Sequence, residues 1–472
     1  MKTAPFSHQK ENFDLRKDVP NYALFWEQGV GKTKASIDII CHKYLHDVID
    51  AVIVIAPKNV HPNWAYDELP THMWDDIEYE TLVWNSKKVK NKGFKRQFDH
   101  LISYDGLSII TMNYESILNR DTYDMVLKML DSRSCMVICD ESHRMKTPNA
   151  KVTKALLKLA PHAKSRWVLT GTSITKSPFD IYTQLKFVSD DIFPQKSYYA
   201  FKNRYGRFIK LKHPTVAGKL YDHLVDYRNL DELTSIINSH SSRVLKSDVL
   251  DLPEKIYQKR YIDMSDDIKR AYESMKNDLF VELGDVEVAA PLVISKLGKL
   301  QQIVCGFIID EHGNTIEICR SRVNSMLEDL PEEKCIIWGK FKHDHVMIGE
   351  ELTKRGVDYV TFTGSTSEAD RETAKRRFRE DPECRVFLGN PKACREGLTL
   401  TAAKYVLNYN RSFDYIDNSQ SEDRVHRIGQ DRNVVYIDYV AKGTIDEAII
   451  ENLRDKRSMA DLINGDNFRE WI

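Results

Sequence analysis

The chain has 472 residues, too many for one hydrophobic core and enough for two or three domains. Its apolar share is 42 %, yet no apolar run is long enough to cross a bilayer. A formal net charge of −1 excludes a protein that coats nucleic acid by bulk attraction, so any polyanion has to be met by cations gathered locally.

From the N-terminus, functional-looking sequence begins by Phe6 to Gln9, which leaves no room for a leader. The eight cysteines show no zinc-type pairing, and Cys135 and Cys139, on one face of an apolar strand, read as core. We therefore expect a cytoplasmic protein with no membrane partner, of a bacterial cell or a virus-infected bacterial host, with a nuclear setting as the alternative.

Short apolar runs recur between helical patterns. In the first half they are Ala51 to Ala56, Leu107 to Met112, Cys135 to Cys139 and Trp167 to Leu169. In the second half they are Lys334 to Trp338, Tyr359 to Phe362, Arg385 to Leu388, Tyr405 to Leu407 and Val434 to Tyr439. Apolarity without alternation marks strands buried on both faces, as in parallel sheets covered by helices, and two such series predict two α/β lobes, residues 1–245 and 246–472. Between about Pro178 and Asn324 helical patterns dominate, broken by one hairpin signal, Phe307-Ile308-Ile309, His312-Gly313-Asn314, Thr315-Ile316. Two basic clusters stand out, Lys87, Lys88, Lys90, Lys92, Lys95 and Arg96, then Lys375, Arg376, Arg377 and Arg379; either a solvated helix face or a polyanion site accounts for each.

Three segments carry chemistry. In Glu27-Gln28-Gly29-Val30-Gly31-Lys32-Thr33, Gly29 and Gly31 permit a loop whose N–H groups wrap phosphates, and the helix that follows adds its positive end. Lys32 would reach the β- and γ-phosphates and Thr33 would place its hydroxyl on Mg²⁺, although Trp26 stands where the strict P-loop pattern has glycine. Asp140 and Glu141 follow an apolar strand directly, at the carboxyl end where open α/β sheets bind ligands; Asp140 suits Mg²⁺ and Glu141 the attacking water. Arg424 and Arg427 share a face if their segment is helical and could steady charge on a transferred phosphoryl group, or else form surface ion pairs with Glu422 and Asp423.

Gln420 to Gln430, with its Asp-Arg-Val-His-Arg-Ile-Gly-Gln core, resembles motif VI of the Swi/Snf-type ATPases of helicase superfamily two. Further resemblances follow in that family's order: Gln9 to the adenine-reading glutamine, Ile55-Ala56-Pro57-Lys58 with Asn63-Trp64 to motif Ia, and Thr111-Met112-Asn113-Tyr114-Glu115 to the next DNA-facing segment. Leu169-Thr170-Gly171-Thr172 resembles motif III, and Gly397 to Ala403 resembles motif V of the annealing-helicase and fork-remodelling branch. Arg243 and Lys246 to Lys255 resemble the linker between lobes. Departures are Glu27-Gln28 for Asp-Glu-Met, Ser142 for alanine, Ser173 for proline, and the bulkier Cys394-Arg395-Glu396.

The resemblance implies two tandem RecA-like lobes with helical insertions, and ATP and Mg²⁺ as ligands. It assigns ATP to Gln9, Gly29, Val30, Gly31, Lys32, Thr33 and Gln420, metal to Thr33 and Asp140, catalysis to Lys32, Glu141, Arg424 and Arg427, and coupling to Thr170, Gly171 and Thr172. Pro57, Lys58, Thr111 and Asn113, with Thr363, Asn390 and Arg395, would face DNA and mainly touch phosphate. The implied activity is a monomeric, sequence-independent DNA translocase acting on duplex or branched DNA, with replication or repair proteins as partners. A strand-separating DNA or RNA helicase and a low-turnover nucleotide-gated clamp are the competing expectations.

Overall fold

Apolar runs bounded by turn residues become strands. The structure, a computed structural model, describes residues 1–174, 177–212, 220–285, 290–310, 312–394, 398–427 and 429–464. In chain order the strands are β1 (Asn21–Trp26), β2 (Ala51–Ala56), β3 (Tyr79–Val83), β4 (Leu107–Asn113), β5 (Cys135–Asp140), β6 (Ser165–Leu169), β7 (Gly206–Lys212), β8 (Leu220–Tyr227) and β9 (Ser241–Val244). There follow β10 (Lys255–Ile262), β11 (Phe307–Ile309), β12 (Thr315–Glu317), β13 (Cys335–Trp338), β14 (Tyr359–Phe362), β15 (Val386–Gly389), β16 (Tyr405–Asn408) and β17 (Val434–Ala441).

Two compact units emerge. The first takes in Met1–Arg207 and Asp226–Asp251, the second Phe208–Val225 and Leu252–Arg457. Lys246–Asp251 stays with the first unit, beyond the boundary expected at 245, because the Lys246 amide donates to Glu27 Oε2 at 2.7 Å and Val249 and Leu250 lie against that unit's core.

The first unit holds a parallel seven-stranded sheet in the order β3-β4-β2-β5-β6-β1-β9. Every residue of β2 and β5 is buried, as expected where helices cover both faces. Cys135 and Cys139 are fully buried in β5, where loss of solvent pushes both thiols upward, Cys135 to about 12. The second unit holds a parallel six-stranded sheet in the order β10-β17-β16-β13-β15-β14. Strand alternation divides its core: Cys335 and Ile337 join Met347, Ile348 and Leu352 on one face, Ile336 and Trp338 join Phe378 and Phe387 on the other.

The helical middle contains more strand than the sequence suggests. The hairpin expected near Phe307 forms as β11 and β12, but β7, β8, β9 and β10 also fall in this region. β9 and β10 are edge strands, and β7 and β8 form a two-stranded sheet of their own; polar side chains there break the apolar run that marks a buried strand. In the first unit β1 and β3 likewise fall outside the four predicted runs. The aromatic helix Tyr198–Tyr205 has two faces: Phe201 and Tyr205 are buried, with the Phe201 ring 4.8 Å from those of Tyr182 and Phe193, while Tyr199 is exposed. Among the described residues no helix is long and apolar enough to cross a membrane.

Because each main sheet is parallel, the carboxyl ends of its strands share one edge, where ligands bind in such sheets. In the first unit that edge carries Gly29–Thr33 after β1, Lys58 after β2, Asn113 ending β4, Asp140 ending β5 and Thr170 after β6.

Candidate nucleotide-binding site

The loop after β1 folds as its glycines require. Gly29 and Gly31 take φ values of 84° and 82°, in the left-handed region open to a residue without Cβ. Gly31 also admits Gln9: a Cβ there would stand 2.1 Å from Gln9 Nε2, which donates to the Gly31 carbonyl at 3.0 Å. Gln9 Oε1 accepts from the Phe6 amide at 2.8 Å, and His8 Nε2 pairs with the Val30 carbonyl at 2.8 Å. The glutamine segment thus clasps the loop directly. The helix Lys32–Leu45 begins at Gly31, so its positive end and the Thr33 hydroxyl sit at the loop. Lys32 is buried, and its ammonium donates to the Trp26 and Glu27 carbonyls at 2.9 and 3.0 Å.

The acidic pair lies at the end of β5. Asp140 is 7 % exposed; Oδ2 accepts from Trp64 Nε1 at 3.0 Å and Oδ1 from the Glu141 amide at 2.9 Å. Burial, with the Glu141 charge beside it, pushes the Asp140 carboxyl up to about 7, against the Trp64 hydrogen bond and the Lys32 charge. Such a carboxylate favours a cation in place of its proton. Glu141 itself has φ 53°, a strained left-handed conformation for a residue with a Cβ and a common mark of functional sites. Its carboxylate accepts from Gln28 Nε2 and Thr170 Oγ1, each at 3.3 Å, and lies 3.3 Å from His143 Nδ1.

Thr170 is fully buried, and its hydroxyl accepts from the Thr172 amide at 3.1 Å and pairs with His143 Nδ1 at 3.1 Å. Arg243 Nη1 donates to the Phe25 carbonyl at 2.7 Å and the Gly171 carbonyl at 3.4 Å. The segment Thr170-Gly171-Thr172 is therefore wired to the acidic pair through His143 and to β1 through Arg243. Sequence reading gave Gln28, Trp64, His143 and Arg243 no part in this site. Trp64 stood inside a recognised motif, but its contact depends on packing between distant strands. Among the described residues no group of three or more His, Cys, Asp or Glu gathers around a metal position. A divalent ion here would use Asp140, Thr33 and the oxygens of a bound phosphate, a donor set that suits Mg²⁺.

In the second unit, the segment whose arginines would share a face if it were helical is helical only over Tyr415–Glu422. Gln420 lies in that helix, whereas Arg424 and Arg427 lie in the turn beyond it, so the shared helical face is not formed. Capping bonds close this turn instead: the Val425 and His426 amides both donate to the Glu422 carbonyl at 3.1 Å, and Gln430 Nε2 reaches the Ala403 carbonyl at 3.1 Å. Both arginines are half-buried. Arg424 Nε donates to the Gln420 carbonyl at 3.2 Å, and Arg427 Nη1 to Thr399 Oγ1 at 3.0 Å and the Leu398 carbonyl at 3.4 Å. Glu422 is held by Arg411 Nη1 at 3.0 Å, Tyr257 OH at 2.7 Å and Lys255 Nζ at 3.5 Å.

The residues expected to face DNA divide. Lys58 is exposed, and Asn113, Thr363 and Asn390 are half-buried at the carboxyl ends of β4, β14 and β15. Pro57 is buried, and Thr111 is fully buried within β4, so neither offers a surface to a phosphate; the alternation of β4 turns Thr111 into the core while Asn113 ends the strand. Arg395 and Gly397 lie outside the described residues.

A SNF2-related domain model matches residues 12–306, and a helicase conserved C-terminal domain model matches residues 319–429. This chain belongs to the SNF2-related family. It is 27 % identical over 467 residues to the mouse DNA annealing helicase and endonuclease ZRANB3, covering 96 % of this chain and 40 % of that protein. It is 26 % identical over 476 residues to the putative ATP-dependent helicase/translocase YwqA of Bacillus subtilis, covering 97 % of this chain and 48 % of that protein. The chain thus spans less than half the length of these relatives. Among solved structures it is similar to the Sulfolobus solfataricus SWI2/SNF2 ATPase core in complex with dsDNA, at 23 % identity and a TM-score of 0.43, covering 98 % of this chain and 94 % of that one. As a SNF2-related protein it has the two RecA-like α/β lobes expected from its sequence.

Family membership also frames the departures. Ser142, where the SNF2-type pattern has alanine, donates to Gln184 Oε1 at 2.7 Å, and Gln184 Nε2 donates to the Ser173 carbonyl at 2.7 Å. The Ser142 hydroxyl is thus tied through Gln184 to the main chain at Ser173. Glu27 and Gln28 hold the Lys246 amide and the Glu141 carboxylate respectively, so the altered loop still engages its neighbours through side chains.

Proposed function

We propose that this chain is an ATP-hydrolysing motor that couples turnover to movement on duplex or branched DNA. The observation that carries the reading is the meeting, within one unit, of a glycine loop with a buried lysine and an acidic pair, Lys32 lying near enough to Asp140 for its charge to oppose protonation there.

In this reading Gln9 reads the adenine, the Gly29–Thr33 loop holds the phosphates, and Lys32 turns from the Trp26 and Glu27 carbonyls to the β- and γ-phosphates. Asp140 and Thr33 would hold Mg²⁺, which when bound neutralises phosphate charge and aligns the γ-phosphoryl group. Glu141 orients the attacking water and accepts its proton as the bond from γ-phosphorus to the bridging oxygen breaks, releasing ADP and phosphate. Gln28, Thr170 and His143 fix the direction of that carboxylate. Arg424 and Arg427 are the transition-state cations, and Thr170-Gly171-Thr172 links the acidic pair to DNA engagement. Lys58, Asn113, Thr363 and Asn390 touch DNA phosphates, which gives grip without sequence reading.

The names of the relatives, an annealing helicase and a helicase/translocase, support movement on DNA. Phe201 and Tyr205 pack inward and support the fold, whereas Tyr199 stands exposed on the same helix, so the choice between tracking and strand separation rests on the measurement below. The test is hydrolysis with single strands, duplex, forks and RNA, together with displacement of a third strand from a triplex. Duplex or forks should stimulate most and the third strand should be displaced. Stimulation best by single strands, with efficient unwinding of a long tailed duplex, would replace this reading by a strand-separating helicase.

A further inference from the structure

The two basic clusters look alike in sequence and differ in structure. On the helix Glu368–Glu380, Lys375 pairs with Glu372, Arg377 with Asp358 and Arg379 with Glu380, each at 2.6 Å. In that cluster three of the four cations are paired, and only Arg376 is exposed with no ion pair among the described residues. Lys87, Lys88, Lys90, Lys92, Lys95 and Arg96 are all exposed, and none has a carboxylate within ion-pair distance among the described residues. From Trp84 to Gln97 the chain contains no acid at all.

This arrangement carries an electrostatic cost. Lys92, Lys95 and Arg96 occupy the first turns of the helix Lys92–Ser103, where the positive end of the helix disfavours cations, and its first turn has no acid. Like charges this close repel one another as well. The segment is nevertheless anchored firmly: Val89, Phe94 and Phe98 are buried, and Trp84 lies edge-on to Phe94 and Phe98 at 5.1 and 5.9 Å. Uncompensated charge on a fixed scaffold suits a polyanion supplied from outside.

Its position selects the polyanion. The segment leaves the carboxyl end of β3, and the sheet order β3-β4-β2 makes that end the neighbour of the ends of β4 and β2. The join is tight: the Trp84 amide donates to the Thr111 carbonyl at 2.8 Å, and Ser86 Oγ donates to Ser116 Oγ at 2.8 Å, in the turn that Asn113 caps. The lysines, Asn113 and Lys58 therefore follow three adjacent strand ends. At about 4.8 Å per strand these span about 10 Å, over which one B-DNA strand presents about three phosphates.

We propose that Lys87, Lys88, Lys90, Lys92, Lys95 and Arg96 form an accessory binding site for the DNA phosphate backbone, extending the track begun by Lys58 and Asn113. This rests on the DNA-motor reading above. The site binds any sequence, since lysines meeting phosphate read no bases. Exchanging Lys87, Lys88, Lys90 and Lys92 together for Ala tests it, by titration of labelled duplex DNA and length-matched RNA over a range of salt. The variant should lose affinity equally for unrelated duplex sequences, and the slope of log affinity against log salt should shrink by up to about 0.9 per lost phosphate contact. An unchanged thermal midpoint would show that the fold is intact; should it fall, Lys95→Gln with Arg96→Gln gives the same readout with smaller change. A wild-type chain that binds duplex, beside a variant with unchanged affinity and slope, would overturn the patch and spare the motor. A wild-type chain that binds no DNA would overturn the motor itself. Loss confined to RNA binding would assign the surface to RNA and overturn the proposal.

Discussion

The acidic pair of the first unit and the arginine turn of the second are both charged sites built on parallel sheets, but they hold their charge differently. Asp140 is buried at a strand end, its carboxyl pushed up to about 7 by loss of solvent. Arg424 and Arg427 are half-buried in a turn, their guanidinium groups resting on carbonyl and hydroxyl oxygens. The first site is costly until a cation arrives; the second rests its guanidinium groups on main-chain and hydroxyl oxygens of its own unit.

The comparison is broken most severely at Glu141. Glu141→Gln should keep ATP and DNA binding and retain less than about a tenth of turnover, as the water loses its proton acceptor; greater residual turnover would remove Glu141 from that role. Arg427→Ala should leave ATP affinity nearly unchanged and lower DNA-stimulated turnover by about 10³ or more, as loss of an arginine finger does. Equal, small losses with and without DNA would make Arg427 a surface residue, and the same measurement on Arg424 ranks the two.

Smaller effects sharpen the electrostatic half. Trp64→Phe removes the indole donor from Asp140 Oδ2, and should cost about 1.5–3 kcal/mol at pH values where Asp140 is charged, seen in denaturant unfolding. The pH dependence has a definite sign. The folded carboxyl holds its proton to about 7, while the unfolded one releases it near the usual 3.8. Between these values the folded state binds more protons, so the contribution of Asp140 to nucleotide-free stability falls as pH rises and levels off above about 7. Asp140→Asn should therefore raise the thermal midpoint more at about pH 8 than at about pH 5; an equal shift at both would show that Asp140 does not titrate there. The smallest effect is expected at Thr111, whose hydroxyl is buried and has no hydrogen-bond partner among the described residues. Thr111→Val should leave DNA affinity unchanged and stability equal or higher, whereas weakened DNA binding would restore the residue to the interface.

Legibility in the sequence followed the physics of each element. β2, β5, β13, β15, β16 and β17 were legible because burial on both faces demands unbroken apolar runs; β9 and β10, at sheet edges, have no such demand and were hidden. The placement of Gly29, Gly31, Lys32, Asp140 and Glu141 along one sheet edge was legible because it depends on local backbone form and strand ends. Trp64 and Arg243 were not, since each acts on a residue more than seventy positions away, Trp64 on Asp140 and Arg243 on Gly171. The helical spacing of Arg424 and Arg427 misled, because hydrogen bonds to the Glu422 carbonyl close a turn where periodicity extends a helix. Thr111 misled because the alternation of β4 turns it into the core, which a segment's resemblance does not reveal.

The most direct test of the DNA-motor reading is the steady-state rate of ATP hydrolysis by the wild-type chain without nucleic acid and with saturating duplex DNA, single strands or RNA. The account predicts a low rate alone and the largest stimulation with duplex or forked DNA, lost in Glu141→Gln. A rate indifferent to DNA, or one raised most by RNA, would contradict it.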